Sequence, residues 1–137
     1  MSADFYSAIK NRRTFYGISK DSTVSDDRIQ QIINQAVSVA PTAFNSQSER
    51  VILLLGEQHE KLWDITKETL RKVVSEKSFS ETEQKMNSFR NGYGTILFFE
   101  EENIIQGLQK NFPSYKDNFL HGHSSLVAYC NILSGHH

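Results

Sequence analysis

APTAFNSQSERVILLLG, residues 40–56, runs from a proline-marked polar loop straight into an apolar strand, and the fold turns on how it is read. Val51–Leu55 (VILLL) is a short unbroken apolar run with a β-branched start and Gly56 as its stop. Such a run predicts a strand buried on both faces. Ahead of it, Asn45, Ser46, Gln47 and Arg50 crowd hydrogen-bonding side chains at the strand's mouth. Asn45 and Gln47 each offer a donor and an acceptor, the equipment for reading the edge of a planar heterocycle. Asn and Ser are equally at home in a plain turn, so the loop alone does not choose between the two.

Upstream, Ser25 is placed to cap a helix, with Asp26 and Asp27 in the first turn where the helix dipole favours them. Ile29, Ile32, Ile33, Ala36 and Val37 form one apolar stripe, and Pro41 ends it. An earlier helix is predicted from Ser2, with Phe5, Ala8 and Ile9 on one face, closing at NRRTFYG (Asn11–Gly17). Downstream, a long helix spans about Glu57 to Val74, with two rows, Leu62-Ile65-Val73 and Trp63-Leu70-Val74, predicting a wide buried face. SETE (Ser80–Glu83) has the capping-box pattern and is expected to open another helix carrying Met86 and Phe89. GTILFFEE (Gly94–Glu101) reads as a second strand, and NIIQGLQKNF resumes a helical period up to Pro113. Helices and strands interleave, so a mixed α and β fold follows. Two strands alone make a marginal sheet, so the sheet is expected to be incomplete.

The 137 residues suit one core. Fifteen basic residues against sixteen acidic ones leave a net charge of −1, which creates no broad field for nucleic acid or an anionic membrane. Any phosphate must be held by a few well-placed cations. Arg12, Arg13 and Thr14 supply two guanidinium forks and a hydroxyl in a row. Arginines at a helix C-terminus also simply complement the dipole. The single Cys130 has no internal partner, and no apolar leader or membrane-length run is present. A cytoplasmic location is the expectation.

IKNRRTFYGI, APTAFNSQSERVILLLG and GYGTILFFEE, taken in order, resemble the FMN-dependent nitroreductase family, specifically its short fungal and bacterial branch. The resemblance runs from about Asp4 to Phe119. It implies an α+β fold of nitroreductase type, an α/β sandwich of which this chain carries the N-terminal part (residues 1–119). It implies FMN as cofactor, with Arg12, Arg13 and Thr14 at the flavin phosphate and ribityl chain and Tyr16 nearby. Asn45 and Gln47 would lie against the isoalloxazine. It further implies NAD(P)H as electron donor, a nitroaromatic or quinone as small-molecule acceptor, and a homodimer with flavin at the subunit interface. The cofactor carries such chemistry, so no catalytic residue is assigned. Other readings are a non-catalytic remnant that pairs with an intact paralogue, or a small helical interaction module.

After Phe119 the pattern departs from the family, and residues 120–137 read as a divergent tail outside the core. His121, His123, His136 and His137 could tempt a metal assignment, but a metal site needs a set geometry with supporting partners, and none is assigned. Where the chain reads NFLHG (Asn118–Gly122), the family tends to read Asn-Phe-Pro-Ala-Trp. With a C before a CTG leucine codon, then CAT and GGT, regrouping the bases one position earlier gives CCT, GCA, TGG, which is Pro-Ala-Trp. The tail is therefore expected to be a frameshifted stretch of a longer gene. With neighbouring strands missing, exposed sheet edges would make the isolated chain poorly stable and a weak FMN binder. Sequencing the gene checks the frameshift. The shifted frame is expected to continue in family-like sequence, and a stop codon at once would rule it out.

Overall fold

The computed structural model describes residues 5–121, 126–128 and 130. In chain order they form α1 (Phe5–Asn11), α2 (Asp26–Val39), a 3-10 turn (Ala43–Asn45), β1 (Glu49–Leu55), α3 (Gly56–Arg71), α4 (Glu76–Arg90), β2 (Gly94–Glu100), α5 (Glu102–Asn111) and a 3-10 segment (Pro113–His121). The mixed fold with a two-stranded sheet agrees with the sequence expectation. Two compact units divide the chain. The first holds Met1–Arg13, Val24–Ile52 and Leu97–His137; the second holds Thr14–Thr23 and Leu53–Ile96.

In the first unit, α2 begins as its sequence demands. The Ser25 hydroxyl accepts a 3.2 Å hydrogen bond from the Arg28 amide, satisfying an orphan donor of the first turn. Ile32, Ile33 and Ala36 are buried, and the Ala40 amide closes the helix on Ala36 O at 2.9 Å. Pro41 then stops it. The strands run antiparallel. The Glu101 amide bonds Ser48 O at 2.8 Å, while at the other end Gly94 lies against Leu54 O. That register puts Val51 opposite Phe98, and both pack on Ala36, Leu126 and Cys130. On the other face Ile52 and Phe99 remain exposed. The expectation of a strand buried on both faces is corrected here, because in this unit the strands alternate core and solvent, as a sheet covered on one side does.

Two described residues beyond Phe119 are buried. Leu126 is fully buried and Cys130 nearly so, both in the core cluster with Ala36. Apolar side chains facing an uncovered stretch of α2 gain from leaving water whatever their origin. Burial pushes the Cys130 thiol above its usual range, as an apolar site disfavours the thiolate. The expected cap Ser2, and the histidines at 123, 136 and 137, lie outside the described residues.

In the second unit α3 packs against α4, with Trp63 on Phe89 at 4.9 Å between centroids and the Arg71 guanidinium 4.5 Å over the Phe79 ring. Of the two rows expected to bury on α3, Trp63 and Leu70 are partly covered, but Ile65 and Val73 stay exposed. α4 starts at Glu76, so SETE sits inside the helix and does not open it. Phe79 explains the difference. It is buried, with the Arg71 guanidinium over its ring, and securing that burial extends the helix past the local cap signal. Gly94 has no room for a side chain: a Cβ there would meet Leu54 O at 2.8 Å.

His59 is almost fully buried and fully wired. Arg90 O can only accept, so His59 Nε2 donates to it at 3.1 Å. Nδ1 then accepts from Thr95 Oγ1 at 2.8 Å, and Thr95 Oγ1 accepts from Trp63 Nε1 at 3.0 Å. Beside this chain, Arg90 bonds Asp64 at 3.0 and 3.2 Å and Glu60 at 2.8 Å, and Lys20 also bonds Glu60. The Lys20 ammonium first, then Arg90, holds the Glu60 carboxyl below its usual range, and the Arg90 hydrogen bonds do the same for Asp64. Thr95→Val keeps the shape of the side chain but strands the Trp63 N–H and His59 Nδ1. Urea unfolding is expected to show a loss of about 1–3 kcal/mol, and an unchanged midpoint would mean the relay carries no load.

Candidate functional site

The loop that follows α2 folds against its own preference. Phe44 (φ 54°), Asn45 (φ 52°) and Gln47 (φ 50°) all take the left-handed region, where non-glycine residues each cost about 1–2 kcal/mol. Local hydrogen bonds hold them there. Asn45 N bonds Thr42 O at 3.1 Å, Ser46 N bonds Ala43 O at 3.1 Å, and Gln47 N bonds Thr42 Oγ1 at 3.2 Å. Arg50 finishes the clamp, donating from one guanidinium nitrogen to Gln47 O at 3.1 Å and to Glu49 O at 2.9 Å. Clustered backbone strain of this kind persists only where the surroundings over-determine it, and it gathers at functional sites.

The outcome is an open cavity of about 360 Å³, lined by Val37 and Ser38 of α2, by Ala40, Thr42, Asn45 and Gln47 of the loop, and by Glu49 and Arg50 of β1. Asn45 and Gln47 are thus brought together, with Gln47 Nε2 donating to Asn45 Oδ1 at 3.3 Å. Arg12 and Arg13 do not enter this lining. Both are exposed beyond the end of α1, and the Arg13 guanidinium turns back onto Lys10 O and Arg12 O at 2.8 Å each. Thr14 and Tyr16 belong to the second unit, where both are exposed.

Three contributors escaped the sequence reading: Thr42, Glu49 and the Ser48–Glu100 pair. Glu49 is 9% exposed, and its Oε1 is buried without a hydrogen-bond partner among the described residues. The register sets it directly opposite Glu100 on the core side of the sheet, and like charges so placed destabilise a strand pair. Ser48 Oγ donates to Glu100 Oε2 at 2.6 Å, so Ser46 Oγ, 3.2 Å away, supplies the hydrogen to Ser48. A polar residue at an inward position just ahead of an apolar run was the available signal for Glu49.

These residues can do definite things. The cavity pairs two amides, which donate and accept, with a carboxylate residue, Glu49, and a cation held at the strand's head, Arg50. That donor set suits a planar polar ring edge carrying both carbonyls and an N–H.

The Nitroreductase family model matches residues 9–128, carrying past Phe119, where the resemblance was expected to end. Nitroreductase FRM2 of Saccharomyces cerevisiae is 30% identical over 116 residues, covering 82% of this chain and 56% of the yeast protein. The chain therefore spans just over half the length of the curated relatives it matches. Nitroreductase CinD from Lactococcus lactis, solved in complex with chloramphenicol, superposes with a TM-score of 0.78 at 30% identity over 96% of this chain and 68% of that one. A putative nitroreductase from Desulfovibrio desulfuricans in complex with FMN shares the fold at a TM-score of 0.62 and 18% identity, over 98% of this chain and 63% of that one.

Glu49→Gln removes the like charge facing Glu100 and turns an orphaned acceptor into a donor. Thermal unfolding is expected to show stabilisation of about 0.5–1 kcal/mol. Destabilisation would show that Glu49 is already satisfied in solution.

Proposed function

The chain belongs to the nitroreductase family, and from that premise we propose that its site serves an FMN-dependent oxidoreductase drawing electrons from NAD(P)H. The observation that carries the reading is the cavity beside β1, which Asn45, Gln47 and Glu49 line together. Their hydrogen-bonding capacity fits the polar edge of an isoalloxazine ring. When bound, FMN would supply the hydride-accepting and hydride-donating centre, which is why the chain needs no acid–base pair of its own.

The chain's part is to bind and orient. Asn45 and Gln47 meet the ring edge, and the loop's strained backbone holds their amides in place before the ligand arrives, which spares ordering cost at binding. Arg12, Arg13 and Thr14 are assigned to the phosphate and ribityl end, with Tyr16 beside them. Bending Arg13 away from its carbonyl partners would trade two neutral acceptors for a dianionic one, a stronger hydrogen bond. The acceptor class is a nitroaromatic or quinone, small and planar. Two copies of the chain pair around the flavin in this proposal. No helix of the described residues is long and apolar enough to cross a membrane.

Titrating the purified chain with FMN and following the quenching of flavin fluorescence tests the reading. Saturable binding is expected, weakened about tenfold by Asn45→Ala, equivalent to ~1.4 kcal/mol, and weakened by Arg13→Ala as well. Linear, unsaturable quenching would sink the flavoprotein reading for this chain and favour the remnant that pairs with an intact relative.

A further inference from the structure

α5 ends at a corner. Phe112 caps it, its amide bonding Leu108 O at 2.8 Å, and the Tyr115 amide bonds Phe112 O at 3.0 Å in the 3-10 segment that follows. Gln109 Nε2 donates across the corner to Lys116 O at 3.0 Å. The corner presents two rings to the loop after α2. Phe44 stacks on Phe112 at 4.6 Å between centroids, 24° from parallel, and meets Tyr115 edge-on at 5.5 Å. All three rings lie within the first unit. Phe44 is also the first left-handed residue of the strained loop, one position before Asn45.

A bulky residue does not hold φ 54° on its own account. The loop's hydrogen bonds fix the amides of Asn45, Ser46 and Gln47. The stack acts on the Phe44 side chain, and a ring seated on two others resists the backbone rotation that would return the residue to the β or right-handed region. Phe44, Phe112 and Tyr115 stay 52%, 39% and 49% exposed, so the cluster is too exposed to be explained as core.

We propose that Phe112 and Tyr115 are positioning residues: by clasping Phe44 they hold the loop in the left-handed form that aims Asn45 and Gln47 into the cavity. This rests on the assignment of those two amides to the flavin. The clasp acts through sequence-distant side chains, so the geometry of the binding loop is set by the α5 corner as much as by the loop's own residues.

The test is hydrogen exchange on the flavin-free chain, read at the amides of Asn45, Ser46 and Gln47, paired with FMN titration at a temperature where circular dichroism shows every variant folded. Phe112→Ala is expected to speed exchange at those three amides at least tenfold while α2 amides keep their rates, and to weaken FMN about tenfold. Phe112→Tyr, which keeps the stacked face, is expected to restore both. If Phe112→Ala fails to fold, Phe112→Leu replaces it, keeping apolar volume without a ring face. Unchanged loop exchange in the folded variant overturns the proposal, as does an equal speeding of α2 and loop amides, which marks general loosening. Absence of FMN binding in the unaltered chain would strike the flavin assignment alone, since the exchange data decide the clasp without any ligand.

Discussion

The pairing of β1 with β2 in one register is the constraint from which the site follows. Side chains alternate across a strand, so a single step of slippage would reverse every inward and outward residue. With Ser48 O bonded to the Glu101 amide, Val51 and Phe98 face the helix side, and Arg50 faces away. Only from that outward position does Arg50 reach back to the carbonyls of Gln47 and Glu49 and tie the loop to its strand. The same register sets Glu49 against Glu100, a pairing a sheet built for stability alone would avoid.

Polar cost is distributed unevenly along the chain. At the loop and the head of β1, left-handed residues and a carboxylate oxygen without a donor among the described residues collect within a few positions. Around His59, by contrast, the imidazole, Thr95 hydroxyl and Trp63 indole satisfy one another, and Arg90 meets two carboxylates. Strain gathered within a few positions of one loop is the pattern of a binding loop.

How much of this was readable in the chain depends on the range of the interactions involved. α2 was readable because its cap and stripe are local: Ser25 needs only Arg28, and the apolar spacing is a property of the helix itself. The start of α4 was not, since Phe79 and its burial override a nearby capping pattern that is satisfied equally well inside a helix. Asn45 and Gln47 stood out as polar residues at a strand's mouth, but Glu49 was lost when the strand was begun at Val51, the first apolar residue of the run. Phe44 shows a harder limit. A left-handed phenylalanine leaves no mark in sequence, and the rings that accompany it lie more than sixty residues away. Leu126 and Cys130 illustrate the converse, where a segment that looked foreign to the family supplies core to a helix that needed covering.

The chain has one tryptophan and one cysteine. Trp63 sits in the second unit, bonded to Thr95 and against Phe89; Cys130 sits in the core of the first. Indole emission therefore reports on one half of the molecule and thiol labelling on the other, with no probe engineered in. Coincident midpoints would make the halves a single cooperative body, while separated ones would make each a folding unit in its own right.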